Sequence, residues 1–169
     1  DRLNKAYKEA KRIAFTNTDK FILFSDCHRG DSSFADDFAN NRNIYFHAMS
    51  HYFKEDYTYI ELGDGDELWE NMFFKTIFEA NKNVYQLLQQ FYMTNRLHLI
   101  YGNHDMVYRN QNVVKKNLYE YFDQRKGENV PLFPGIQCNE AIVLENKDNH
   151  NQELFLTHGH QADFMNYVG

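Results

Sequence analysis

The sequence predicts an α/β fold. Short apolar runs of strand length, such as Phe21-Ile22-Leu23-Phe24 and Leu97-His98-Leu99-Ile100-Tyr101, alternate with stretches whose apolar residues recur at helical spacing. Four of the runs end in residues with carboxylate, amide or imidazole donors, the position where open α/β sheets place their sites. With 169 residues, 43% of them hydrophobic, the chain can bury one ordinary core and reads as a single domain over 1–169.

Taken in order, Leu3, Ala6, Tyr7, Ala10 and Ile13 predict an amphipathic helix over 3–14, and residues 21–24 a strand buried on both faces. Ile44, Ala48 and Tyr52, with Phe34, Phe38 and Met49 nearby, mark a helix from about 34 to 54. His47 and His51 sit one turn apart on it. No Glu follows His47 as in the zinc-protease motif, so the pair reads as packing or surface. A strand is predicted over 57–62. Leu68, Trp69, Met72, Phe73, Phe74, Ile77 and Phe78 then suggest a helix, continued after Asn81 by Val84, Leu87, Leu88 and Phe91. A strand over 97–101 and a helix over 111–124 follow, the latter carried by Val113, Val114, Leu118, Tyr121 and Phe122. Residues 127–135, with Pro131 and Pro134, read as a loop. Strands are predicted at 141–144 and 154–156, around a polar turn at 146–152.

The net charge of -6 argues against a general grip on nucleic acid, which needs a basic face. Small anionic substrates remain compatible if metal ions supply positive charge locally. Cys27 and Cys138 offer neither a disulfide framework nor a CxxC zinc pattern, which favours a reducing, cytoplasmic setting. No apolar run of about 18 residues spans a bilayer, and no signal-peptide core opens the chain. The chain begins without Met and is expected to be a fragment.

The chemistry concentrates at Gly63-Asp64-Gly65-Asp66-Glu67, where carboxylates crowd the end of a strand-like run. Buried carboxylates repel one another and resist desolvation, and cations among them are the simplest compensation. Asp26 and His28, one residue apart on an extended segment, share a face and form a metal grip. Asn103, His104, Asp105, His158 and His160 are further candidates, and Asn103 can add a neutral oxygen to a hard-cation shell. Asp64 is placed to bridge two metals. Arg29 is left with two roles, a fork for a substrate phosphate or a partner for Asp31, Asp36 or Asp37.

These blocks, in this order, resemble the calcineurin-like metallophosphoesterases. That family carries Asp-x-His, Gly-Asp-x-x-Asp/Glu, Gly-Asn-His-Asp/Glu, a lone His and Gly-His-x-His. Here the first four read Asp26-Cys27-His28, Gly63-Asp64-Gly65-Asp66-Glu67, Gly102-Asn103-His104-Asp105 and Thr157-His158-Gly159, and the likeness extends over 21–160. The resemblance implies a two-sheet sandwich flanked by helices (α/β/β/α) and a hydrolase of small phosphorylated substrates, whether monoester, diester or diphosphate. It implies two divalent ions (Mn, Fe, Zn or Mg), one held by Asp26 and His28, one by Asn103 and His158, with Asp64 between them. His104 would stabilise the transition state or protonate the leaving oxygen, with Glu67 or Asp105 orienting its ring. The last block, Gly-His-x-His, is expected beyond Gly169. Gly63-Asp64-x-x-Glu67-x-Trp69 is also similar to a block of the lipid A pathway pyrophosphatases, which have Arg where this chain has His104. The alternative is a catalytically silent scaffold on the same fold, against which the presence of His104 and five ligand candidates speaks.

Overall fold

In a computed structural model, which describes residues 2–33, 35–69 and 73–162, the chain is mixed α/β and builds two main sheets. Strands β2 (Phe21–Phe24), β3 (Thr58–Leu62), β4 (Leu97–Ile100) and β7 (Cys138–Asn139) form a wholly parallel sheet in that order. Because all four run the same way, their carboxyl ends lie along one edge. The second sheet has the order β1-β8-β9, with β1 (Lys11–Phe15) parallel to β8 (Ala141–Asn146) and β9 (Glu153–Thr157) antiparallel to it. A separate antiparallel hairpin joins β5 (Glu120–Asp123) to β6 (Glu128–Pro131).

Period-two alternation splits the parallel sheet between two cores. Tyr59, Leu97 and Leu99 face the helices α2 (Arg42–Lys54), α3 (Phe74–Ala80), α4 (Lys82–Met93) and α5 (Gln111–Leu118), whose Met49, Ile77, Val84, Phe91 and Val114 are fully shielded. Ile60 and Ile100 face the other way and meet Ile142 and Leu144 of β8, with Ile13, Phe15, Phe21, Leu62 and Leu156 around them. The two sheets thus share an apolar layer. Helix α1 (Arg2–Glu9) packs on β8 and buries Ala6. Among the described residues no helix is long and apolar enough to cross a membrane.

Several expected boundaries move. The first helix stops at Glu9, and Ile13 belongs to β1. A residue that fits a helical stripe also fits an inward strand position, and pairing with β8 decides for the strand. The helix expected from 34 begins with a 3-10 turn at Ala39–Asn41 before α2; Phe34 lies outside the described residues. On α2 the shielded residues are Tyr45 and Met49, while Ile44 is 72% exposed. Leu68 and Trp69 lie in a turn before α3, and Met72 lies outside the described residues. The helix expected to reach 124 ends at Leu118, and Tyr121 and Phe122 sit in β5. The segment read as a loop supplies β6, whose following residues Leu132 and Phe133 donate backbone N–H to Tyr119 and Leu118 at 2.8 and 2.9 Å.

His98 on β4 has a buried Nδ1 without a hydrogen-bond partner, and burial, with Lys11 adding repulsion, pushes its pKa down to about 4. The unfolded chain therefore binds a proton that the folded chain refuses between about pH 6.5 and 4, so stability falls as pH drops through that window. Replacing His98 by Leu should remove about 1–2 kcal/mol of the loss between pH 7 and 5. Urea unfolding of both proteins at the two pH values measures it, and equal losses would contradict this reading.

Candidate metal centre

The turns leaving β2 and β3 are laced together by their backbones. Asp26 N donates to Gly63 O at 3.1 Å, His28 N to Asp64 O at 2.8 Å, Arg29 N to Gly65 O at 2.9 Å, and Glu67 N back to Arg29 O at 2.9 Å. Holding this lattice puts Asp26, His28 and Asp64 in the left-handed region, with φ of 54°, 50° and 54°. They are half of the six non-glycine residues so placed among the described residues. Each such residue costs about 1–2 kcal/mol and persists only where its surroundings over-determine it.

The over-determining group is Arg29. It is 2% exposed and neither meets open solvent nor pairs with Asp31, Asp36 or Asp37, as its sequence neighbourhood suggested. Its guanidinium forks onto Glu61 (2.8 and 2.7 Å) and donates through Nε to Asp66 at 2.8 Å. Burial alone would discharge it, but the two carboxylates hold its pKa well above the ordinary arginine value. Tyr59 donates to Glu61 at 2.8 Å and Tyr108 to Asp66 at 2.8 Å, while Tyr85 also donates to Asp66. Asp66 thus turns away from the open face. Asp36 instead accepts the backbone N–H of Ser32 and Phe38 at 2.7 and 3.1 Å.

On the open side the remaining candidates converge. The offered atoms of Asp26, Asp64 and His158 lie within 4.8 Å of one another, as do those of His28, Asp64 and His104, and Asp64 is common to both groups. Asp64 Oδ1 accepts the His104 backbone N–H at 2.9 Å. Its Oδ2 lies 3.2 Å from His158 Nε2 and 3.9 Å from His28 Nε2. His158 Nδ1 is spent on the Leu62 carbonyl at 2.8 Å and His28 Nδ1 on Glu67 Oε2 at 2.8 Å. With Nδ1 so occupied, each ring turns Nε2 toward Asp64, and that is the atom each would offer a metal. Asn103 Oδ1 completes the ring of donors at 3.2 Å from His158 Nε2.

Such crowding leaves an electrical signature. The hydrogen bond to Asp64 lifts the His158 pKa to about 9. Burial works against Asp64, yet its contacts with His158 and the His104 N–H keep its pKa below the usual carboxylate value. Without another cation, a proton shared between Asp64 and His158 compensates the charge. A divalent ion fits the same oxygen and imidazole donors.

His104 belongs to the second of these groups and has a further partner. Its Nδ1 meets both Glu67 oxygens at 3.0 and 2.8 Å, and its ring lies 4.8 Å from the exposed Trp69. Of the two acids considered for orienting it, Glu67 makes the contact. Asp105 does not, because its oxygens accept the N–H groups of Gly102, Gly65 and Asp64 at 2.6, 3.0 and 3.2 Å. Burial, and then the neighbouring Asp66, Glu61 and Asp64, push the Asp105 pKa up to about 7.

No family model, curated protein or solved structure matches this chain. Among the described residues, His47 and His51 on α2 join neither metal-capable group. His160 is buried, with its ring 5.7 Å from that of His158. The residues that sequence reasoning missed are Glu61 and its tyrosines. A glutamate inside the apolar run 57–62, two positions from Tyr59, was the available signal, since period two puts both on one face.

Removing the guanidinium strands two buried carboxylates. Arg29→Met should therefore destabilise the chain by about 3–5 kcal/mol, with adding Glu61→Gln and Asp66→Asn recovering part of the loss. Denaturant unfolding of the single and triple variants tests this, and a loss under 1 kcal/mol in the single variant would show that the network carries little.

Proposed function

We propose that this chain is a metallophosphoesterase, hydrolysing phosphoester bonds at a dinuclear centre built from Asp26, His28, Asp64, Asn103 and His158. One observation carries the reading: a single oxygen, Asp64 Oδ2, faces the Nε2 atoms of both His28 and His158. A carboxylate so placed suits two cations and is wasted on one structural ion, which closed, thiol-rich sites hold. The order of blocks along the chain supports the same assignment, and so does the shared apolar layer between two sheets with helices outside. Those layers fit the helix-flanked sandwich of the calcineurin-like family.

The resemblance gives one ion to Asp26 and His28 and the other to Asn103 and His158, with Asp64 shared; the offered atoms group differently, Asp26 with His158 and His28 with His104, each with Asp64. Bound there, two divalent cations supply Lewis acidity, acidifying water and neutralising phosphoryl oxygens during in-line attack. The protein does the rest. His104, with Nδ1–H fixed on Glu67, keeps Nε2 for the leaving oxygen. As the P–O bond to the organic group breaks and the water oxygen bonds to phosphorus, releasing its proton to solvent, His104 as imidazolium, with Nδ1–H kept on Glu67, would give its Nε2 proton to the departing alkoxide. The ring edge of Trp69 shields one side of that transfer. Glu67 holds His28 and His104 together, so a ligand and the acid keep a fixed separation.

Two sets of variants test this. Asp64→Asn should lower the bound metal from two equivalents toward none. Gly102→Ala should weaken binding about tenfold or more, as damage behind a ligand does, because a Cβ there overlaps Asp64 Oδ1 and comes within 2.8 Å of its backbone N. Equilibrium dialysis with Mn2+ followed by elemental analysis gives both numbers, and one equivalent in the unaltered chain would sink the dinuclear assignment.

His104→Ala should keep the metal and lower kcat about 100-fold on phenyl phosphate. The loss should shrink on p-nitrophenyl phosphate, whose leaving group needs less protonation. Loss of a metal equivalent in this variant would make His104 a ligand, and unchanged turnover on both esters would remove it from the mechanism.

A further inference from the structure

An apolar groove of about 440 Å3 starts beside the centre, lined by Leu68, Phe74, Phe78, Val107, Tyr121 and Phe122. Leu68 directly follows Glu67, and Val107 lies two residues beyond Asp105. Chain continuity therefore brings the groove to the His104 side of the centre rather than the Asp26 side. Trp69, the residue after Leu68, packs edge-on against His104 and is 65% exposed. Phe73, Val107 and Phe122 extend the apolar surface at 69%, 46% and 50% exposure.

We infer that this groove receives an apolar organic group carried on the leaving oxygen, so that the substrates are phosphoesters of hydrophobic alcohols. This rests on the phosphoester reading above. Three observations support it. The volume lies in the range of small-molecule sites, about 300–1,000 Å3. The walls are aromatic and aliphatic, with Lys75 and Lys116 at the rim matched by Glu79 and Glu120, so the groove has no excess charge to attract a nucleotide. One of its walls is Leu68, the residue after the Glu67 that holds His104, so an organic group leaving from His104 has a route into it while the phosphoryl group faces Asp64. A separate cleft passes Asp26 and His28 between Phe24, Phe38, Ile44 and Tyr45.

The test is a series of n-alkyl phosphates from ethyl to decyl, in which leaving-group chemistry stays constant while apolar length grows. Trp69 is the only tryptophan of the chain, so its fluorescence reports binding at this place without needing turnover. With the full chain loaded with Mn2+, both Kd from Trp69 quenching and the reciprocal of kcat/KM should fall by about two- to fourfold per methylene. They should then level off when the groove is full. Val107→Asp and Phe122→Ser, two exposed positions checked for folding by circular dichroism, should each pull the octyl-to-ethyl affinity ratio down at least tenfold.

Ethyl phosphate turned over, with no dependence on chain length, would overturn the groove assignment and leave the phosphoester reading standing. Length-dependent quenching with no hydrolysis of any ester would do the reverse, keeping the groove as a ligand site and removing the reaction. Adenosine monophosphate bound more tightly than octyl phosphate would also overturn the apolar assignment.

Discussion

The pairing of Arg29 with Glu61 and Asp66 fixes the spacing between the two turns that bring Asp26, His28 and Asp64 together. Its backbone N–H and carbonyl tie the β2 turn to Gly65 and Glu67, while its guanidinium reaches Glu61 within β3 and Asp66 beyond it. Main chain and side chain bind the same pair of segments. Gly65 is part of the device, because a Cβ there would overlap the Glu61 carboxylate and lie 2.5 Å from the guanidinium. Buried ion pairs add little to stability over a hydrophobic replacement, and their best-attested use is to select one arrangement among several. Here the selected arrangement is a strained one. Three residues with left-handed backbones stay in place because the charges beneath them admit no other register.

On the open side the same economy of charge recurs with a different counter-ion. His158 and Asp64 meet through Nε2 and Oδ2, and a proton at that contact offsets the carboxylates around it. On the proposed reading, a divalent cation would compete with that proton for one lone pair, so metal uptake would carry proton release. The centre and its foundation are thus two layers of one electrostatic problem. In the lower layer the cation is a guanidinium built into the chain, whereas in the upper the charge is offset by the imidazole of His158.

Much of this was legible in the sequence, but unevenly. Apolar runs ending in Asp26, Asp64 and Asn103 located the strand ends, and the parallel order of β2, β3 and β4 explains why ligands far apart in the chain share one edge. Boundaries were misread where two periods coincide: Ile13 fits a helix stripe and an inward strand position, and Tyr121 continues the face of Leu118 until pairing with Val130 of β6 claims it. The partner of Arg29 was misjudged because its nearest acids in sequence, Asp31, Asp36 and Asp37, belong to a loop with backbone groups of its own to satisfy. Spacing reports which face a residue occupies. It does not report which strand lies alongside, and Glu61 becomes a partner only once β2 and β3 pair in register.

The left-handed backbones of Asp26 and Asp64 also narrow the routes by which such a centre can decay. Most side chains at these positions would disturb the turn itself, so their arrival registers as misfolding. Asn and Gly tolerate the conformation, and each removes the carboxylate while leaving the lattice of backbone bonds intact. Drift that survives folding is thereby channelled toward loss of charge without loss of shape. A descendant that had lost its chemistry in this way would keep the outline of its ancestor, and only residues 26 and 64 would tell the two apart.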